Sequence, residues 1–85
     1  MKLIKYVLTD PDGLHARPAG ELVKLLKTLD ISAKIICGEK TADARKIFQI
    51  MTLGAKRGDE IVMEISGDHE EQAAKAVMAF LEENL

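Results

Sequence analysis

Tryptophan is missing from this 85-residue chain, and aromatic residues make up only 4% of it. That leaves little material for stacking nucleic-acid bases. Cysteine appears once, at Cys37, so no internal disulfide can form, and a lone thiol is the usage of a reducing compartment. Histidine appears only at His15 and His69. With Cys37 they are scattered along the chain, and no four-ligand zinc spacing can be drawn. An excess of one charge is lacking too: 12 basic against 14 acidic residues leave −2. That balance exerts no long-range pull on nucleic acid or anionic lipid. No apolar run approaches the roughly 20 residues that cross a bilayer, so no membrane insertion is expected. The opening MKLIKYVLTD also lacks the apolar stretch and small-residue cleavage site of a signal peptide. Repeats, low-complexity tracts and linkers are absent. What remains is the expectation of one small cytoplasmic domain over residues 1–85, a monomer with a modest core.

The residues that are present alternate between two periods. KLIKYVL (2–8) is rich in β-branched and aromatic residues and predicts a strand, which TDPDG (9–13) breaks. Ala19, Leu22, Val23 and Leu26 recur at helical spacing and predict one buried helix face, with Lys24 and Lys27 opposite. SAKIICGEKTAD (32–43) reads as two strands joined by a tight turn at Gly38-Glu39. Ile47, Ile50 and Met51 predict a second helix over 44–53, closed by Gly54 as a glycine cap. Ile61, Met63 and Ile65 alternate with Val62, Glu64 and Ser66, a strand pattern. The last helix is expected to open at Asp68 as N-cap, with Glu71 completing a capping box. Ala73, Ala76, Val77, Phe80 and Leu81 would form its apolar face. Three helices, each apolar on one side, need a sheet face to cover. The fold class is therefore α+β: two layers, with an antiparallel sheet open on its other side.

The stretch GLHARPAGELVKLL (13–26) holds the candidate chemistry. Pro18 falls in the first turn of a helix that starts at Ala16, where a missing N–H costs nothing. His15 then stands at the N-cap. The amides of Ala16 and Arg17 leave the helix start unpaired, and that end is positive, a ready anion site. Arg17 adds a fixed charge whose paired donors suit phosphate. The positive field disfavours the imidazolium, so a neutral, nucleophilic His15 is expected at about pH 7. The same field favours a negative group placed on the ring. A neutral nucleophile beside a phosphate cradle suggests a histidine that accepts a phosphoryl group. The arrangement requires no metal and no cofactor, and no carboxylate cluster is evident to bind a metal. A histidine at a helix start is more often a plain polar cap residue, and His15-x-Arg17 alone does not choose between the two readings.

The longer string does choose. GLHARPAGELV (13–23) resembles the active-site stretch of the HPr family, the histidine-containing phosphocarriers of the sugar phosphotransferase system. MTLGAKRGDEIVMEISG (51–67) resembles the family's link between second helix and last strand, and the element order fits over essentially the whole chain. The resemblance implies an open-faced β-sandwich of four antiparallel strands covered on one face by three helices. It implies that His15 is phosphorylated on Nδ1 and that Arg17 steadies the phosphoryl group; the helix start adds the Ala16 amide as a phosphate-binding candidate. It also implies a carrier and not an enzyme. The donor would be phosphorylated Enzyme I, charged by phosphoenolpyruvate, and the acceptors sugar-specific EIIA domains. Two alternatives stand beside it: a paralogous carrier in a regulatory or nitrogen-linked relay, and a docking module that has kept the fold. A docking module has no need of both His15 and Arg17.

Two departures from the family's pattern bear on partners. Many Gram-positive members carry a regulatory serine before the second helix, in a Lys-Ser-Ile-Met pattern; this chain reads Arg45-Lys46-Ile47-Phe48. Lys46 cannot take a phosphate from a serine kinase, and its charge is opposite to that of a phosphoserine. Serine phosphorylation is therefore expected to be absent at this position, together with any corepressor role that depends on it. Gly20 and Glu21 replace the small hydroxyl or apolar residues common after the Pro-Ala pair, beside the expected docking face. Ile47, Phe48 and Met51 are candidates for an exposed apolar docking patch on the second helix. His69 reads as a surface residue and Cys37 as a small buried hydrophobe in a strand.

Overall fold

Side-chain alternation along each strand builds the sheet. The computed structural model describes residues 1–85. Four strands, β1 (Lys2–Val7), β2 (Ile31–Cys37), β3 (Lys40–Asp43) and β4 (Glu60–Gly67), pair antiparallel in the order β1-β4-β2-β3. Ile4, Ile31, Ala33, Ile35, Ile61, Met63 and Ile65 all point to one face and are buried. The register sets Met63 opposite both Ile4 and Ile35, and Ile65 opposite Ala33. Helices α1 (Ala16–Lys27), α2 (Ile47–Met51) and α3 (Glu70–Asn84) complete the chain. Ala19, Leu22 and Leu26 of α1, and Ala73, Val77 and Leu81 of α3, are buried over that face. One cluster of 22 residues forms the core, and every member is apolar. On the other face Leu3, Lys5 and Lys34 lie exposed. This is the open-faced α+β sandwich that the alternating periods predict. No helix is long and apolar enough to cross a membrane.

The second helix is shorter than the spacing predicts, because Asp43 redirects the chain before it. The Asp43 carboxylate accepts the Arg45 N–H at 2.9 Å, and its carbonyl accepts the Lys46 N–H at 3.0 Å. Ala44, fully buried, still donates its N–H to Ala33 of β2 at 2.9 Å. These bonds compete with the helical pattern, so residues 44–46 stay outside it. At the far end Thr52 is the C-cap, and Gly54 takes its left-handed φ of 63° two residues later. Lys46 becomes the N-cap of α2 and offers no capping bond. Replacing it with serine gives the free amides an acceptor. Lys46→Ser is expected to stabilise the fold by about 0.5–1 kcal/mol. Thermal unfolding should show a midpoint a few degrees higher, and no rise would contradict this account of α2.

The start of α3 also differs. Asp68 is not its N-cap; His69 is, in a left-handed conformation (φ 59°) with no side-chain capping bond. Histidine tolerates that conformation better than most residues. The reversal at His69 delays the helix by one residue, so the expected capping box does not form. His69 is exposed, as expected, while Ala76 and Phe80 are only half-buried.

Cys37 is likewise half-buried and not a core residue, because it lies at the hairpin end of β2. Partial burial pushes its thiol above the ordinary range; Asp59 adds to the rise and Lys40 opposes it. The folded state therefore holds the thiol proton to higher pH than the unfolded chain does. This contribution to stability is present below the ordinary thiol range and is lost as pH rises through the folded value. At mildly alkaline pH, alkylation of Cys37 should be slower in the native protein than in urea. Equal rates would contradict the assignment.

Candidate functional site

The loop before α1 is built to hold one residue in place. Asp10-Pro11-Asp12-Gly13 has Asp, Pro and Gly where a type I turn favours them. The Gly13 N–H donates to the Asp10 carbonyl at 2.9 Å and closes that turn. The Asp10 carboxylate accepts the Asp12 N–H at 2.8 Å. The Asp10 N–H donates to the Leu85 carbonyl, also at 2.9 Å. Gly13 then runs against the segment that leads into β4. A Cβ there would stand 2.4 Å from the Ala55 carbonyl oxygen, and the backbone is left-handed (φ 64°). Leu14 donates its N–H to the same Ala55 oxygen at 3.0 Å and buries its side chain. His15 follows directly, at the mouth of α1.

His15 is the N-cap residue, extended at φ −94° and ψ 179°, and its ring makes no capping bond. Its carbonyl accepts the Ala19 N–H at 3.0 Å, the first bond of the helix. The amides of Ala16 and Arg17 have no acceptor in the protein, and Pro18 has no N–H to offer. The helix start therefore presents two free donors and the positive end of its dipole. Arg17 is exposed and pairs with no carboxylate. The imidazole is half-exposed, with Nε2 3.7 Å from the Asp10 carboxylate. His15, Arg17 and Glu21 line an open cleft of about 330 Å³, faced by Asp10 from the turn and by Glu83 and Asn84 from the end of α3.

Two expectations need correction here. Carboxylates do gather at the site: side-chain oxygens of Asp10 and Asp12 and a ring nitrogen of His15 lie within 4.8 Å of one another. The tight turn folds residues 10 and 12 back on residue 15. The field at the ring is consequently not of one sign, because two carboxylates oppose the positive helix start. Asp10, Glu83 and Asn84 were not among the residues singled out from the sequence. For Asp10 the turn signature before His15 was the available signal; for Glu83 and Asn84 nothing local exists.

The remaining candidates lie outside this cleft. Gly20 is half-buried towards α2: a Cβ on it would meet Ile47 Cδ1 at 3.6 Å. Ile47 is itself half-buried, whereas Phe48 is 83% exposed and Met51 39%. Lys46 is exposed at the start of the same short helix. A larger hollow of about 720 Å³ lies on the open sheet, walled by Lys34, Arg45, Gln49 and Glu64. It shares no residue with the His15 cleft, and no histidine or cysteine lines it.

The chain matches the family model described as the PTS HPr component phosphorylation site over residues 4–83. It is similar to a phosphocarrier protein HPr of Lysinibacillus sphaericus, 32% identical over 83 residues, 98% of this chain and 94% of that one. The crystal structure of HPr-C-His from Thermoanaerobacter tengcongensis has the same fold, with a TM-score of 0.90 at 32% identity over 96% of this chain and 92% of that one. The phosphoryl donor subunit DhaM of a PEP-dependent dihydroxyacetone kinase from Providencia stuartii is 34% identical over 80 residues, 94% of this chain but 17% of DhaM. With these matches the fold defines a small phosphocarrier. The chain belongs to the HPr family of the phosphotransferase system.

Proposed function

We propose that His15 accepts a phosphoryl group on Nδ1 from phosphorylated Enzyme I and passes it to sugar-specific EIIA domains. The observation that carries this reading is the helix start itself. A half-exposed imidazole with an unbonded nitrogen stands where two amides have no acceptor, in a cleft that an unpaired Arg17 also lines. In the transfer, the Nδ1 lone pair bonds phosphorus while the bond from phosphorus to the donor breaks. The Ala16 and Arg17 amides and the Arg17 fork then balance charge on the phosphoryl oxygens. Phe48 and Met51, with Ile47 and Gly20 behind them, supply the apolar part of the docking face, and Glu21 a charge at its edge.

A second reading has its own support. The likeness to a dihydroxyacetone kinase subunit favours a carrier serving a relay other than sugar uptake, with the same chemistry at His15. Incubation with phosphoenolpyruvate and Enzyme I, followed by addition of an EIIA domain, tests the proposal and separates the two. The mass of one phosphate should appear on the chain and then leave it. Loading without discharge to any EIIA favours the second reading, and no loading by an active Enzyme I contradicts the first.

A further inference from the structure

The geometry points to Asp10 as a positioning residue for His15: its carboxylate keeps the imidazole proton on Nε2, which leaves the Nδ1 lone pair free to bond phosphorus. This inference rests on the phosphocarrier reading above and adds a residue to it. A neutral imidazole has one proton for two nitrogens, and neighbouring groups decide which keeps it. Here the closest carboxylate contact is made by Nε2, with Asp12 farther off in the same cluster. Nε2 faces the Asp10 carboxylate at 3.7 Å, while no protein group bonds Nδ1. An anion beside Nε2 favours the tautomer protonated there.

The contact strengthens as the phosphoryl group moves. A new bond forms between Nδ1 and phosphorus, the bond from phosphorus to the donor atom breaks, and the donor atom recovers its electron pair. The His15 ring keeps its Nε2 proton and becomes positive. Asp10 then faces a cation where it faced a neutral ring, so its attraction favours the transition state and product over the ground state. The aspartate of a Ser-His-Asp triad acts on its histidine in the same way, without taking up the proton itself.

Asp10 is fixed well enough for this role. Its amide donates to Leu85, its carbonyl accepts from Gly13, and its carboxylate accepts from Asp12. Its side chain is 27% exposed. Asp12 belongs to the same cluster, but it is exposed and no hydrogen bond holds its carboxylate over the ring. Arg17, Glu21 and Glu83 line the cleft without pairing with the ring.

The test reads the ring directly, by ¹⁵N NMR of His15 at a pH where the imidazole is neutral. Asp10→Asn keeps an oxygen for the Asp12 N–H, and hence the turn, but loses the charge. Asp10→Ser serves the same purpose should the first variant misfold. In either, the fraction of ring protonated at Nε2 should fall, and the rate of phosphorylation by Enzyme I should fall about two- to five-fold. Asp12→Asn should move both less, because its carboxylate lies farther from the ring and no hydrogen bond holds it there. An unchanged tautomer ratio in both Asp10 variants, or an equal shift in Asp12→Asn, would overturn the proposal. The tautomer measurement needs no donor, so it stands apart from the carrier reading, which fails only if the wild-type chain is never phosphorylated.

Discussion

Gly13→Ala should cost about 2–5 kcal/mol of stability, from left-handed strain and overpacking together. An alanine at φ 64° pays the first, and a Cβ placed 2.4 Å from the Ala55 oxygen and 2.7 Å from Lys56 Cα forces the second. The atoms in the way are backbone, so no rotamer change relieves them. Either the segment ahead of β4 or the Gly13 loop must move. Moving the loop lengthens the bond from Leu14 to Ala55, the last anchor before His15. For a domain of this size the melting midpoint should fall by about 10–30 °C. Phosphorylation should also slow at temperatures where the variant is still folded. Circular dichroism melts combined with phosphorylation rates check both parts. A midpoint within a degree or two of wild type would show that the close approach does not exist.

After loss of His15 itself, Arg17→Ala has the largest expected effect on transfer. Its side chain is exposed and unpaired, so its loss should leave stability within about 0.5 kcal/mol. Its proposed role lies in the charged phosphoryl group, where removal of a preorganised donor typically costs about 10²-fold in rate. Arg17→Lys should fall between the two, because it keeps the charge and loses the planar fork. Rapid-quench measurement of phosphorylation by Enzyme I gives the comparison. An Arg17→Ala variant that folds and accepts phosphate at the wild-type rate would remove Arg17 from the site.

Much of this was legible in the sequence, for identifiable reasons. The core-facing sets Ile61/Met63/Ile65 and Ala19/Leu22/Leu26 follow from strand and helix periods alone, since burial on one face imposes them. The helix start at Ala16 was legible because Pro18 tolerates only a first-turn position of that kind. The errors fall where local bonds override periodicity. Asp43 holds the chain out of α2, and a left-handed His69 displaces the cap from Asp68. Asp10 escaped notice because its relation to His15 is made by a reverse turn and not by helical or strand spacing. Glu83 and Asn84 reach the cleft only through the tertiary packing of α3, which no local pattern encodes.

The central claim is that His15 is the phosphoryl acceptor. Intact-mass analysis of the wild-type chain and His15→Ala after incubation with phosphoenolpyruvate and Enzyme I tests it most directly. The account predicts one acid-labile phosphate on the wild type and none on His15→Ala, with both proteins folded. A phosphate that persists on His15→Ala, or an unmodified wild-type chain beside an active Enzyme I, would contradict it.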